Sequence, residues 1–343
     1  MISHIHFSGP VAYRARSAAE MTQSILEVSS RRMLKGPRCP GWNWFVEVVT
    51  RVLRKQVDTA FHLSDVAQAR IYLNSIMIRS PALSEISTRS VKHEKFRGTW
   101  FSGRKAKSPL TLLYLHGGGY SFYPRAYASF IAQFTLAAKS RTFALDYRLT
   151  PEHRFPAQID DALAAYRWML DGGIQPDRIV IGGDSAGGNL TLALLLKVRD
   201  LNLPQPALAI ALSPPTDFES ENVGDEQFDW ITKSALLQWR DWYCAPLQRS
   251  DPLISPVRAD LRGLAPMYIQ AGRAEILYES IQTFADRARS QGADLVLETW
   301  EDMNHNFPVF GPDAPQSVQA LRRIGEVVEQ RVRRRKNERT IAC

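Results

Sequence analysis

The sequence predicts an α/β fold in which helices cover both faces of a mostly parallel sheet. From Thr111 onward, short strand-like runs alternate with segments of helical periodicity. The strand-like runs are apolar along their whole length, as is typical of strands buried on both faces. The predicted strands occupy residues 111–116, 142–147, 178–184, 207–213, 266–271 and 294–300.

Helical patterns fill the segments between these strands. In the last of them, Val318, Leu321, Ile324, Val328 and Val332 recur at three- and four-residue steps. That spacing gives the helix one apolar face for docking on the sheet. The predicted helices occupy residues 125–140, 157–170, 186–200, 279–290 and 316–335.

Two segments depart from this alternation, and together they predict a cap over a site. Residues 1–100 are expected to form an N-terminal helical cap and leading edge strands, and residues 101–343 the main domain. Residues 217–257 are a polar and aromatic insertion at the carboxyl edge of the sheet, where α/β proteins bind ligands. The elements predicted before residue 102 are helices at 18–34 and 43–57 and an edge strand at 93–101.

Length and composition exclude several classes of protein. The 343 residues are 45% hydrophobic and 23% charged, which is typical of a soluble globular protein rather than a disordered or fibrous one. No segment supplies the roughly 18 apolar residues that span a bilayer, and the first thirty residues contain no signal-peptide core. The three cysteines, Cys39, Cys244 and Cys343, are too few and too widely spaced for a disulfide framework or a zinc site. We therefore expect a cytoplasmic protein.

The net charge of +8 does not indicate a nucleic-acid partner, because the basic excess lies at the two ends of the chain. Residues 1–57 carry +6 and residues 331–343 carry +5, which leaves the body at −3. The basic run at 333–336 is most often a solvated helix end. An anion or membrane-surface patch is the alternative for this run, and no stable membrane insertion is expected.

The strongest chemical signal is Gly183-Asp184-Ser185-Ala186-Gly187, which joins an apolar strand to a helical pattern. In a strand-to-helix turn of this kind the serine is strained, and the flanking glycines let the two backbones approach each other. The N-terminus of the following helix directs N–H groups toward the serine, which favours an anionic intermediate. Ser185 is therefore the predicted nucleophile.

Three consecutive glycines, residues 117–119, follow the first predicted strand and His116. They expose backbone N–H groups with no side chain in the way, as an oxyanion hole requires. The predicted donors are the N–H groups of Gly118, Gly119 and Ala186. His116 is expected to order this loop rather than to act as a base. A phosphate-binding loop is disfavoured because no lysine follows the glycines closely.

A serine nucleophile requires a base, and the base requires a carboxylate that orients it. His305 lies just beyond the last predicted strand, late in the chain, where the order of nucleophile, acid and base places the histidine. Glu275 lies on the loop after the strand at 266–271 and is the predicted acid. Glu279 and Asp302 are its rivals for that role.

At these residues the sequence resembles the hormone-sensitive-lipase-like carboxylesterases of the α/β-hydrolase fold, over about residues 105–310. The resemblance implies a structural role for residues 146–157, behind the oxyanion loop. The usual acid of the family is Asp, so Glu275 departs from the pattern by one methylene. The first hundred residues resemble the helical cap of fungal-type members such as steryl acetyl hydrolases. The motifs that carry the resemblance lie at residues 116–120, 146–157, 183–188 and 251–256 and in the loops of Glu275 and His305.

Together these residues predict a serine esterase that forms an acyl-enzyme on Ser185 and needs neither a metal nor an organic cofactor. The expected substrate is a small hydrophobic ester, either a short acyl ester of a hydrophobic alcohol or a lactone. Tyr120, Trp230 and Trp239 are the predicted substrate-binding residues. Acyl transfer, lactone formation and amide hydrolysis would use the same triad and stay open, as does a homodimer. A non-catalytic ligand receptor is the alternative from another class, and the intact triad argues against it.

Overall fold

The computed structural model describes residues 5–63, 65–104, 108–221 and 223–342, with side chains as far as residue 331. Cys343 and the side chains of the basic run at 333–336 lie outside the described residues. The helices are α1 (Val11–Lys35), α2 (Trp44–Phe61), α3 (Val66–Leu73), α4 (Tyr127–Ala137), α5 (Ala157–Asp171), α6 (Ala186–Asp200), α7 (Lys233–Tyr243), α8 (Tyr278–Ser290) and α9 (Pro315–Ala342). The strands are β1 (Ile5–Phe7), β2 (Ile76–Ile78), β3 (Ile86–Lys92), β4 (Arg97–Gly103), β5 (Thr111–Leu115), β6 (Arg141–Asp146), β7 (Ile179–Asp184), β8 (Leu208–Leu212), β9 (Met267–Gly272) and β10 (Leu295–Trp300).

The described strands form one large sheet in the order β10-β9-β8-β7-β5-β6-β4-β3, and β1 pairs with β2 apart from it. From β10 to β6 the neighbouring strands are parallel, whereas β4 runs antiparallel to both β6 and β3. In the pairing of β5 with β7, Leu115 lies opposite Gly183. The glycine loop after β5 and the serine turn after β7 therefore begin side by side at the carboxyl edge of the sheet.

The predicted α/β fold is confirmed, and each strand predicted from Thr111 onward lies within one residue of its expected bounds. A strand is present over most of the expected range 93–101, as β4, but the expectation that it forms the edge of the sheet is wrong. The chain turns after β3 and returns as β4, which lies inside the sheet between β3 and β6. The strand β3 was not predicted because most of its residues are polar and exposed, so it lacks the apolar run of a buried strand. Its position at the edge of the sheet allows this exposure.

Helices bury both faces of the sheet. Alternate residues of β5 point to opposite sides, so Leu112 packs with α4 and α9, while Leu113 packs in the larger core with α5, α6 and α8. On α9, the predicted apolar face is buried at Leu321, Ile324 and Val328. Val318, expected on the same face, is exposed, and the side chain of Val332 lies outside the described residues.

The N-terminal helices pack against each other and against the insertion at 217–257. Arg32 of α1 pairs with the buried Glu47 of α2 at 2.8 Å. Further along α2, Arg54 donates to the backbone carbonyl of Asp229 at 2.9 Å, inside the insertion. The insertion itself contains α7, and β4 spans the domain boundary expected at residue 100. No helix in the described part of the chain is both long and apolar enough to cross a membrane.

Candidate active site

Ser185 occupies the turn between β7 and α6 with a φ of 51° and a ψ of −122°, a conformation that few non-glycine residues adopt. Its N–H donates to the carbonyl of Leu212 at 2.7 Å, which fixes the turn to the neighbouring strand β8. A Cβ at Gly183 would collide with the backbone of Gly187, and one at Gly187 with the carbonyl of Leu115. The two glycines are therefore required by the close crossing of strand and helix.

His305 lies on the loop between β10 and α9, 120 residues after the serine, and its Nε2 is 2.9 Å from the Oγ of Ser185. The indole N–H of Trp230 donates to the carbonyl of His305 at 2.7 Å, and this hydrogen bond fixes the backbone of the histidine loop. Burial lowers the pKa of His305 to about 3, because the imidazolium would lose its hydration. The ring is thus neutral, the form in which it accepts a proton.

Glu275 lies on the loop between β9 and α8 and is fully buried beside the same strand ends. Its Oε2 accepts hydrogen bonds from the Oγ of Ser213 at 2.6 Å and from the N–H of Gly272 at 3.2 Å. The Oγ of Ser213 in turn accepts from the N–H of Asn306 at 2.9 Å, which ties the glutamate loop to the histidine loop. Burial, and after it the charge of Asp229, raises the pKa of Glu275 to about 8 against the opposing hydrogen bond from Ser213.

In a catalytic triad, a carboxylate oxygen accepts a hydrogen bond from the second nitrogen of the histidine. The corresponding atoms here are Oε1 of Glu275 and Nδ1 of His305. Among the described residues, Oε1 of Glu275 and Nδ1 of His305 are both buried and both without a hydrogen-bond partner. The structure therefore brings Ser185 and His305 into contact, while Glu275, the predicted acid, lies on the adjoining loop without a hydrogen bond to the imidazole. Proton transfer to His305 would leave a cation that an ionised Glu275 stabilises.

The two rival acids lie in other surroundings. Glu279 is exposed on the first turn of α8. Asp302 accepts a hydrogen bond from the N–H of Gly41 at 2.8 Å and so serves the docking of the N-terminal region. Neither carboxylate is hydrogen-bonded to His305.

Asp229, which the sequence analysis did not identify, is buried between the loops of Glu275 and His305. Its carboxylate accepts the N–H of Ile276, next to Glu275, at 2.8 Å and the N–H of His305 at 3.3 Å. Burial raises the pKa of Asp229 to about 6, against the four backbone N–H groups that favour its charge. A sequence signal existed: an acidic residue flanked by Phe228 and Trp230 in an aromatic segment must find hydrogen-bond donors if it is buried.

The glycine loop has the backbone that the predicted oxyanion hole needs. Gly118 and Gly119 have φ values of 106° and 59°, and among the described residues their N–H groups donate to no other group. Asp184 holds the start of the loop by accepting the N–H of Gly117 at 3.0 Å, and its other oxygen accepts from the side chain of Asn306 at 2.6 Å. Asp184 stands inside the serine motif, and sequence reasoning gave it no role.

His116 orders the glycine loop, as the sequence analysis expected. Its ring is stacked between those of Tyr123 and Tyr147, with centroids 3.8 Å and 4.1 Å away. The Nδ1 of His116 is 2.7 Å from the carbonyl of Gly117. Burial lowers the pKa of this histidine to about 3, so it packs as a neutral ring.

A cavity that is open to solvent reaches Ser185 and has mostly apolar walls. Trp239 of α7 lines it and lies against Gly119, where a Cβ would collide with the indole. Tyr120 also lines it, but its hydroxyl donates to the side chain of Asn189 and its ring stacks on Tyr243. Trp230, expected to bind substrate, is not in the cavity wall because its indole supports His305 instead.

The fold and the contact between Ser185 and His305 define the class of α/β hydrolases, in which a serine stands on a strand-to-helix turn. Within this class the chain belongs to the alpha/beta hydrolase fold family, whose model matches residues 112–309. Within the described ranges no group of three His, Cys, Asp or Glu side chains is arranged to hold a metal ion.

The proteins similar to this chain include an acetyl-hydrolase and several esterases. An acetyl-hydrolase of Streptomyces hygroscopicus is 36% identical over 63% of this chain and 74% of its own length. An esterase of Acinetobacter venetianus is 27% identical over 83% of this chain and 96% of its own length.

The crystal structure of an esterase from the bacterial hormone-sensitive lipase family has a TM-score of 0.70 at 31% identity, over 92% of this chain and 98% of that one. The crystal structure of EstE5, soaked with p-nitrophenyl butyrate, has a TM-score of 0.77 at 30% identity, over 85% of this chain and 99% of that one. The chain is thus an enzyme of the carboxylic ester hydrolase class, similar to the hormone-sensitive-lipase group.

Proposed function

We propose that the protein hydrolyses a carboxylic ester through an acyl-enzyme on Ser185, with His305 as the base and Glu275 as the acid that orients it. The observation that supports this most directly is the 2.9 Å contact between the Oγ of Ser185 and the Nε2 of His305 at a strained strand-to-helix turn. Gly118, Gly119 and Ala186 would supply the N–H groups that stabilise the oxyanion.

The proposed steps follow from this geometry. His305 takes the proton of Ser185 as the Oγ attacks the acyl carbon, and the carbonyl oxygen becomes an oxyanion facing the glycine loop. His305 then gives the proton to the departing alkoxide, and the acyl group remains on the serine. A water molecule, deprotonated by His305, releases the carboxylic acid and restores the serine. The N-terminus of α6 favours the negative charge in both tetrahedral states.

For the substrate we propose a short acyl ester of a hydrophobic alcohol, or a lactone. The apolar walls of the cavity favour such a molecule, and one relative is named an acetyl-hydrolase. Kinship with the fungal-type steryl acetyl hydrolases, suggested by the N-terminal resemblance, is part of this proposal. So is a cytoplasmic location, which fractionation of cells that contain the protein would test.

We further propose that the insertion at 217–257 is the inner part of a cap and the N-terminal helices its outer part. The insertion supplies Phe218, Trp239 and other cavity residues, whereas none of the described residues before Gly119 lines the cavity. The N-terminal helices reach the insertion from outside, through Phe61 on Trp239 with ring centroids 5.4 Å apart.

The test is the variant Ser185→Ala, assayed on p-nitrophenyl acetate and butyrate and treated with a fluorophosphonate probe. Turnover should fall by several orders of magnitude, since removing a triad member has that effect, and covalent labelling should disappear while circular dichroism is unchanged. Ser213→Ala removes a second buried serine, one whose hydroxyl binds Glu275, and should still be labelled at Ser185. Labelling of the Ser185→Ala protein at another serine would refute the assignment, and a wild type that binds esters without turnover would favour the receptor.

A further inference from the structure

Arg240 is a buried cation in the wall of the cavity that reaches Ser185. It lies on α7, one residue after Trp239, and only 8% of its surface is exposed. Because Trp239 contacts Gly119 of the glycine loop, this helix covers the part of the cavity where an ester would react. An arginine among the residues of that wall bears on which substrates the cavity accepts.

The charge of Arg240 is only partly compensated by protein groups. Its Nε is 3.5 Å from Oδ1 of Asp241 and its Nη2 is 3.9 Å from Oε1 of Glu221, both long for ion pairs. The side chains of these two acids are 58% and 81% exposed, so water screens them. The Nη1 of Arg240 is buried and has no hydrogen-bond partner among the described residues. A buried donor of this kind is unfavourable until it receives an acceptor.

The other groups of the cavity offer little competition for this donor. Asp217 also lines the cavity, but it is not an ion-pair partner of Arg240, and its Oδ1 accepts the N–H groups of Glu219 and Ser220 at 2.9 Å and 3.1 Å. The rest of the wall around Arg240 is largely apolar, with Val223, Leu236, Leu237 and Leu277 among its members.

We infer that Arg240 determines specificity by binding a carboxylate carried by the ester substrate, so that the preferred substrates are anionic esters such as half esters of dicarboxylic acids. This inference rests on the proposed function and narrows its substrate class. A guanidinium presents its N–H groups in a planar fork that matches a carboxylate, and in an apolar wall such a pair is specific as well as strong. The carboxylate could belong to the acyl part or to the alcohol part of the ester, and both carry the same chemistry.

The test compares Arg240→Met and Arg240→Lys with the wild type on two pairs of substrates. Monoethyl adipate against ethyl pentanoate places the carboxylate on the acyl side, and 4-acetoxybenzoate against 4-tolyl acetate places it on the alcohol side. In one of the two pairs, Arg240→Met should lower the ratio of kcat/KM for the charged ester to that for the neutral ester by about ten- to hundredfold. Arg240→Lys should recover part of that ratio, and added salt should lower it in the wild type.

The matched control is Arg249→Met, which removes another arginine of the insertion that also contacts Asp241 but does not line the cavity; its ratios should equal those of the wild type. Equal ratios in wild type and Arg240→Met for both pairs would overturn the inference, as would the same fall in Arg249→Met. If Arg240→Met does not fold, inhibition of the wild type decides, because adipate must then inhibit more strongly than adipamide, or 4-hydroxybenzoate more strongly than 4-hydroxybenzamide. These outcomes are separate from the proposed function, which fails if Ser185→Ala keeps its turnover or labelling or if the wild type turns over no ester.

Discussion

Glu275 is held in surroundings that oppose its ionisation. It is fully buried, and Asp229 adds a negative charge nearby, so its pKa rises to about 8. The same burial keeps His305 neutral. A carboxylate in this position is unstable by itself and becomes favourable when the imidazole beside it gains a proton, which is the moment at which the reaction needs it.

Replacing Glu275 with Gln should therefore lower the activity and, at neutral and alkaline pH, raise the stability of the folded protein. We expect kcat to fall on the order of 10⁴-fold, as when the orienting acid of a triad loses its charge. Glutamine never ionises. In the wild type, Glu275 ionises in the unfolded chain at its ordinary pKa of 4.5 but in the folded protein only at about pH 8, so the free energy of unfolding falls as pH rises between these two values. The free energy of unfolding of Glu275→Gln relative to wild type should thus increase over that window and level off above it. Urea denaturation at several pH values measures this.

The controls are Glu279→Gln and Asp302→Asn, whose carboxylates lie away from the imidazole. Each should keep most of the activity. If Asp302→Asn were the severe variant and Glu275→Gln nearly silent, the choice of acid would be wrong while the nucleophile and base would stand.

Asp229 should influence the pH dependence of the reaction. Its charge raises the pKa of Glu275, so Asp229→Asn should lower that pKa and move the rising limb of kcat/KM toward lower pH. The measurement is a pH profile from about 5 to 10 on p-nitrophenyl butyrate. A limb that stays in place while kcat falls at every pH would show that Asp229 supports the loops without tuning the acid.

At the scale of elements, α7 is the helix that covers the carboxyl edge of the sheet beside Ser185. It supplies Trp239 and Arg240 to the cavity, and it is held from outside by α2. Phe61, the last residue of α2, packs on Trp239 and on Trp242 with ring centroids 5.4 Å and 5.8 Å away. The position of the cavity wall therefore depends on a helix that does not line the cavity.

Removing the contact of Phe61 with α7 should change the preference between long and short acyl esters more than the turnover of a short acyl ester. An aromatic pair is worth about 1 kcal/mol, so Phe61→Ala should lower the ratio of kcat/KM for p-nitrophenyl octanoate to that for the acetate by roughly fivefold. Leu26→Ala, at an exposed position on α1, is the control and should leave the ratio unchanged. An unchanged ratio in Phe61→Ala would mean that α7 is held by other contacts.

For the whole molecule, the N-terminal helices are a second layer laid over the hydrolase core. Since α1 packs on α2 and α2 on α7, deleting residues 1–40 should impair turnover of bulky hydrophobic esters more than that of a small acetyl ester. The assay applies to protein whose circular dichroism and cooperative unfolding show that it is folded. Equal losses on both esters would show that this segment supports the scaffold rather than the specificity.

Much of the fold could be predicted because its signals are local. An apolar run followed by a helical pattern reports a buried strand and its covering helix within about thirty residues, and α6 has the predicted bounds at both ends. Ser185 and His305 could be proposed for a related reason, since the glycine motif and the order of residues along the chain are both visible in the sequence.

What the sequence determined by itself is therefore the alternation of strands and helices, the serine turn and the late position of the histidine. Tertiary structure alone decided that Asp229 stands between Glu275 and His305, that Trp230 supports the histidine loop, and that β3 is the edge of the sheet. The bond from His305 to Asp229 joins residues 76 positions apart. Such contacts depend on how segments that are distant in sequence pack together. The periodicity within one segment reports which face is buried, but it does not specify which other segment covers that face.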